Sequence, residues 1–255
     1  MTCADAPSDL VELGGCTALV TGGAKRLGGA ISRALAKQGV QVVVHYNTSA
    51  DEAAAVVRDI EQGGGRACAL GADLSAPEDA PALIDRAIAE AGSLDFLINS
   101  ASVFPEQSLS GLDPGEVHRV LGVNALSPFM LARRFAEQGR AGAVVNMLDT
   151  MIADYDRKHV PYHLSKRMLF SLTRMMAVEF APFVRVNAVA PGLVLPPEGE
   201  DLEYLERLAS TNPLGRYGNP AGVAEAAVFL LRSGFVTGQT IFVDGGRHLR
   251  GSMYG

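Results

Sequence analysis

The chain has 255 residues, 48% of them hydrophobic and 20% charged, with a formal net charge of −6. This is the balance of a soluble globular protein with one large core, and basic residues scattered along an acidic chain exclude the cationic surface that non-specific nucleic-acid binding needs. Cys3, Cys16 and Cys68 are too few and too dispersed for a disulfide framework or a thiolate metal site; the first dozen residues lack the basic start and apolar run of a signal peptide, and no apolar stretch reaches bilayer-spanning length, so no membrane partner and a reducing cytoplasm are expected.

From residue 16 onward, short β-branched runs alternate with Ala-rich segments. The expected strands are 16–21, 40–46, 66–72, 94–99, 142–147, 184–190 and 238–244, each a continuous apolar run of the kind covered on both faces. Helical period occupies 27–38, 51–62, 77–91, 115–138, 160–180 and 220–233. That alternation predicts an α/β fold: a Rossmann-like, doubly wound parallel sheet of about seven strands with helices on both faces and right-handed crossovers. With no linker in sight, residues 1–255 read as a single domain. The longest interruption, 191–219, carries the amphipathic stretch EDLEYLERLAS and is placed to act as a lid at the carboxyl edge of the sheet.

The first strand leads straight into TGGAKRLGG, so Gly22 and Gly28 stand at a strand-to-helix turn where backbone can approach a pyrophosphate and the helix N-terminus attracts its charge. Arg26 replaces the usual middle glycine and, with Lys25, adds positive charge beside Leu27 and the turn. An NAD-selective site carries an acid at the end of the second strand. Here that place reads HYNTS, with His45, Tyr46, Asn47 and Ser49 and no acid before Asp51. His45, Tyr46 and Ser49 can hydrogen-bond, while Arg26 and Lys25 can neutralise a 2′-phosphate, so the expected cofactor is NADP(H). Asp73 and Leu74 after the third strand, and Asn99, Ser100 and Ala101 after the fourth, suit the remaining contacts, although each also has ordinary turn chemistry.

Tyr162 and Lys166 fall one helical turn apart on one face, and an ammonium beside the phenol is expected to pull the tyrosine pKa down into an acid–base range. The glycine turn, NSA at 99–101, Asn124, Tyr162 with Lys166, and Pro191-Gly192 together resemble the short-chain dehydrogenase/reductase family over essentially the whole chain. Within it, TGGAKRLG, HYNTS, SVFP at 102–105, NMLDTM at 146–151 and VDGGRHLR near the end look like pteridine and dihydromonapterin reductases. The resemblance implies that Tyr162 is the proton donor and that Lys166 holds the nicotinamide ribose while tuning it. It implies that Asn124 supports Lys166 through water, that Pro191, Gly192 and Leu193 lie along the cofactor, and that Ser102 sits near both phosphates and substrate. Phe104 would stack on the pterin. It further implies a homo-tetramer formed through the helices bearing Tyr162 and the last crossover, with the tail around Arg250 reaching a neighbour.

The departure that bears on chemistry is Asp149, where relatives carry serine. A serine there donates a hydrogen bond to a ketone oxygen as it becomes an oxyanion; an ionised aspartate cannot donate, and opposes that charge. For a C=N bond the demand reverses, because a carboxylate stabilises the protonated imine. Asp149 therefore points to imine reduction in a nitrogen heterocycle, a small-molecule pterin being the expected substrate. Three other readings compete: a capping residue, a protonated carboxyl substituting for serine, and a catalytically dead chain that only binds NADP(H). A carbonyl reductase of 3-oxoacyl type is the nearest alternative function. His159 and His163 have metal-pair spacing without a third ligand in place, so no metal is expected, and Met168, Met175 and Met176 read as packing.

Overall fold

A computed structural model describes residues 9–154 and 157–252, with side chains from 250 onward outside the description. Cys3 and the expected contact through Arg250 therefore lie beyond the described side chains. The seven expected strands are present as β1 (Thr17–Thr21), β2 (Gln41–Tyr46), β3 (Ala67–Gly71), β4 (Phe96–Asn99), β5 (Gly142–Met147), β6 (Val184–Pro191) and β7 (Thr240–Val243). All pair in parallel in the order β3-β2-β1-β4-β5-β6-β7. The chain reverses its direction of travel between β1 and β4. In a doubly wound sheet that switch point opens a crevice beyond the strand carboxyl ends.

Period-2 alternation sends each strand's side chains into two cores. Ala18, Val20, Val42, Val44, Ile98 and Val145 pack with α1 (Arg26–Lys37), α2 (Ala50–Gln62) and α8 (Pro220–Arg232). Leu19, Val43, Leu97 and Val144 pack on the opposite face with α3 (Pro81–Ala91), α5 (Ser127–Ala136) and α6 (Val160–Glu179). Both sheet faces are thus covered, which is why the strands read as unbroken apolar runs. The insert 191–219 contains α7 (Leu202–Ala209), started by Asp201, whose side chain accepts from the Glu203 N–H, and anchored inward by Leu205.

The segment expected as one helix at 115–138 is instead α4 (Pro114–Leu121), a π-turn over Gly122–Leu126, and α5. Pro128 has no N–H to give to the Asn124 carbonyl, and the Ser127 N–H reaches back to Gly122 rather than Val123. The extra residue in that turn directs Asn124 into the interior.

One side chain ties the distal end together. Arg185 on β6 donates to four carbonyls at the end of α8 and just beyond: Leu230 (2.8 Å), Leu231 (2.7 Å), Ser233 (2.8 Å) and Val236 (3.3 Å). Leu230 and Leu231 are among the orphan acceptors of the helix C-terminus. Arg185→Ala is expected to cost about 2–4 kcal/mol in urea unfolding, because several partly buried carbonyls lose a charged donor at once. Arg185→Lys should recover only part, since an ammonium lacks the planar fork.

Candidate active site

Two groups of residues gather at the carboxyl edge of the sheet. The first surrounds a cleft of about 420 Å³ lined by Gly22, His45, Asn47, Asp73, Ala101 and Ser102 among others. Its floor is the turn after β1. Gly22 adopts φ 62°, and a Cβ there would come within 2.9 Å of the Ala101 Cα; a Cβ on Gly28 would meet the Gly22 carbonyl oxygen at 2.1 Å. Both positions need glycine. Thr21 closes the turn against β4, its Oγ1 accepting from the Ser100 and Ala101 N–H groups at 3.0 and 3.1 Å. Helix α1 then starts with no capping side chain and no acid in its first turn, leaving its N-terminal field for an anion.

Arg26 occupies the place of the middle glycine with φ 50°, the left-handed region, at a strain of about 1–2 kcal/mol. Its guanidinium donates to the Pro196 carbonyl at 2.7 Å, so it joins the phosphate loop to the insert. Lys25 pairs with Glu52 at 2.7 Å. Both cations were expected to face a 2′-phosphate; here each has a protein partner. Tyr46 lies against Gly71, where a Cβ would meet its ring at 3.1 Å, and Ser49 precedes α2 without capping it.

Three of the expected residues have partners inside the protein. His45 borders the cleft, yet both ring nitrogens are bonded inside the protein, to the Gly22 N–H (3.1 Å) and the Ala72 carbonyl (3.0 Å). Asn99 is buried and donates to Asn146 Oδ1 and the Pro128 carbonyl, so its amide nitrogen links β4 to β5 and α5. Asn124 accepts from the Val103 N–H and donates to the Val103 carbonyl and Ser165 Oγ, so its side chain positions the 102–104 segment against α6. Pro191 ends β6, and Gly192 packs against Asp244, where a Cβ would approach to 2.6 Å. Leu193 accepts from the Gly218 N–H and so ties the start of the insert to its end. Asp73 Oδ1 is taken by the Ser75 N–H, and Leu74 is buried beneath.

The second group sits where α6 begins. Tyr162 and Lys166 are both buried, one turn apart. Tyr162 donates its phenolic proton to Asp149 Oδ2 at 2.8 Å, and Asp149 Oδ1 accepts from the Met151 N–H at 2.8 Å. Asp149 therefore caps a short 3₁₀ turn and holds the phenol at once. Lys166 Nζ donates to the Met147 carbonyl at 2.8 Å and lies 5.5 Å from the Tyr162 ring centre.

These contacts overturn the expected direction of the tyrosine pKa. Burial, the Asp149 charge and the bond to Asp149 push Tyr162 well above its ordinary value. The ammonium is committed to a carbonyl, while the nearer charge is negative, so the phenol keeps its proton. Burial raises Asp149 above the usual carboxylate range, opposed by its two hydrogen bonds and by Lys166. Burial lowers Lys166 to about 8, with Asp149 acting the other way.

Phe104 forms the rim. It is 47% exposed, stacks on His159 with ring centres 3.9 Å apart, and meets Tyr162 edge-on at 4.5 Å. His163 lies edge-on to Tyr162 at 6.0 Å. Two features went unread in the sequence. Arg119 of α4 borders the cleft, which no periodicity could assign to that face. Behind Asp149, buried Asp244 accepts from Thr150 Oγ1 (2.5 Å), from the His248 N–H and from His248 Nδ1 (both 2.8 Å), bracing the turn that aims the carboxylate. VDGGRHLR was visible, but its contact with residue 150 spans 94 positions.

Comparison with known proteins agrees with this geometry. The family model described as enoyl-(acyl carrier protein) reductase matches residues 22–248. The structure is similar to that of FolM alternative dihydrofolate reductase 1 from Brucella canis complexed with NADP, with a TM-score of 0.88 and 36% identity, covering 95% of this chain and 97% of that one. The sequence is 34% identical over 249 residues to 3beta-hydroxysteroid dehydrogenase 1 of Eggerthella lenta, covering 93% of this chain and 95% of that protein. It is 31% identical over 241 residues to a 3-oxoacyl-[acyl-carrier-protein] reductase of Staphylococcus aureus, covering 91% and 98%. No helix among the described residues is long and apolar enough to cross a membrane.

Proposed function

The chain belongs to the short-chain dehydrogenase/reductase family, and on that premise we propose that it is a cytoplasmic NADPH-dependent reductase converting a 7,8-dihydropterin to a tetrahydropterin. The observation that carries this reading is the Tyr162–Asp149 hydrogen bond, which puts a carboxylate beside the proton donor. Residues 1–255 form one reductase domain, with 191–219 as its lid.

The cofactor cleft suits a dinucleotide: glycines at 22 and 28 leave backbone room, and the uncapped start of α1 receives negative charge. NADP(H) is favoured over NAD(H) because Asn47, not an acid, borders the cleft after β2, and because the FolM structure is an NADP complex. Arg26 and Lys25 add positive charge, the latter partly offset by Glu52. Bound NADPH supplies the hydride to the ring carbon of the substrate's reducible C=N bond. Tyr162 gives its proton to the nitrogen of that bond. One hydride and one proton thus turn the double bond into a single bond with a new hydrogen on each atom. Asp149 stabilises the positive charge that develops at that nitrogen, and the Lys166 ammonium, bonded to the Met147 carbonyl 5.5 Å from the Tyr162 ring centre, adds positive charge to the pocket in which the phenol gives up its proton. A ketone would build an oxyanion beside the same carboxylate and be repelled. The open face of Phe104 offers a flat ring a stacking surface at the rim.

NADPH oxidation with dihydrobiopterin, dihydromonapterin and dihydrofolate tests the proposal. Turnover of at least one is expected. Tight NADPH binding with no turnover of any would instead favour a non-catalytic cofactor-binding regulator.

A homo-tetramer accompanies this reading. On α6, Leu164, Met175 and Val178 are exposed apolar residues, Val178 by 80%, and Phe229 in the last turn of α8 and Phe235 just after it are exposed as well. Patches of this kind mark association surfaces. Light scattering should give four chains in the native protein and fewer in Met175→Glu/Val178→Glu; a wild-type monomer would refute the assembly.

A further inference from the structure

His45 has no part in the chemistry above, yet it is only 2% exposed at the edge of the cofactor cleft. Its partners fix its protonation. The Gly22 N–H can only donate, so Nδ1 must be a bare acceptor; the Ala72 carbonyl can only accept, so Nε2 must carry the proton. The ring is therefore neutral, in the Nε2–H form. Burial, with the nearby Arg86 guanidinium, lowers its pKa and acts in the same direction, against the bond to Ala72.

Its backbone joins the same arrangement. The His45 carbonyl accepts from the Gly23 N–H at 2.9 Å, and the next residue, Tyr46, accepts from the Ala72 N–H at 2.9 Å. One residue thus binds the turn after β1 through its ring and its carbonyl, and the connection after β3 through its other ring nitrogen. Gly22 is held in the left-handed conformation, with its α-carbon face against Ala101. If the Gly22 N–H lost its ring acceptor, only the Gly23 bond to the His45 carbonyl would hold the turn to β2, and the Gly22 peptide would lose the contact that fixes it.

We infer that His45 is a positioning residue for the dinucleotide: in its neutral Nε2–H form it locks the phosphate turn against β3 and so sets cofactor affinity. Protonation would place a second donor opposite the Gly22 N–H and release the turn. The charged groups around the ring are Arg86 on α3, which donates to Gly71 and disfavours a second positive charge, and Asp73, next in the chain to Ala72, whose Oδ1 is held by Ser75. The inference rests on the proposed function only in requiring that a nicotinamide dinucleotide occupies this cleft.

The experiment measures NADP⁺ dissociation constants and kcat at saturating NADPH for wild type and three variants. His45→Asn keeps an acceptor near the place of Nδ1 and should stay within about threefold of wild type. His45→Gln keeps a donor towards Ala72 but loses that acceptor. His45→Phe loses both. The last two should bind NADP⁺ at least about tenfold more weakly, the loss of roughly one net hydrogen bond, with kcat changed less than about twofold. Wild-type affinity should also weaken as pH falls below the ordinary histidine range more steeply than that of His45→Asn, the comparison removing the titration of the 2′-phosphate itself. Two-bond ¹H–¹⁵N correlation spectra should report the Nε2–H tautomer. Equal affinities for Asn and Gln variants would overturn the inference even if the Phe variant does not fold, as would loss of kcat at unchanged affinity. Wild-type protein that binds no dinucleotide would refute the cofactor reading instead.

Discussion

Asp149→Ser is expected to lower kcat/KM for a dihydropterin by about 10²–10⁴-fold, the range of a positioned acid–base group, while raising turnover of a small ketone. The structure separates this effect from misfolding. Asp149 also caps the turn at Thr150–Ile152 through the Met151 N–H, and serine is an equally good capping residue. What serine removes is the negative charge next to the Tyr162 hydroxyl, and what it adds is a donor. Asp149→Asn keeps the shape and loses the charge. Because Asp149 raises both Tyr162 and Lys166, the asparagine variant should have a lower tyrosine pKa and a lysine that loses its proton below about 8. A fall in pterin turnover shared equally with ketones would mean that the carboxylate is structural alone.

The second large effect is at Tyr162. Tyr162→Phe should reduce kcat by about 10²–10⁴-fold with NADPH affinity nearly unchanged, since the hydroxyl bonds only Asp149 among its described partners. Its pH dependence should also change form. In the wild type, Lys166 is the group expected to limit activity on the alkaline side: its ammonium is present below a pKa of about 8 and lost as pH rises through that value. In the phenylalanine variant, Asp149 loses a bond that lowers its pKa, and so keeps its proton to higher pH. Residual turnover using that proton should then decline as pH rises. Wild-type kcat in Tyr162→Phe would remove the tyrosine from the chemistry.

The sheet was legible because strands buried on both faces are mostly apolar, and CTALVT and GAVVNM carry no charged residue and few polar ones. The Tyr162–Lys166 pair was legible because one helical turn is a local distance. What escaped depended on direction and long range. Residues 115–138 keep a helical period through the π-turn, and only the missing N–H of Pro128 hints at the break. His45 sits in a polar run, HYNTS, that gives no sign that its first ring is sealed between two backbone groups. Arg26 was recognisable as a glycine substitute, and its φ of 50° accords with that, but its reach to Pro196 crosses 170 positions. The direction of the Tyr162 pKa is hidden from the sequence for a related reason. Spacing places Lys166 near Tyr162, but cannot tell that the ammonium turns to the Met147 carbonyl and leaves Asp149 as the nearer charge.

The proposed reaction requires the carboxylate at residue 149 to select C=N over C=O. Its most direct test is the ratio of kcat/KM for a 7,8-dihydropterin to that for a 3-oxoacyl thioester, measured with NADPH on the wild-type protein at neutral pH. The predicted ratio is at least about 100, the lower bound of the acid–base contribution that Asp149 and Tyr162 direct at nitrogen. A ratio below one would contradict it and make the chain a carbonyl reductase.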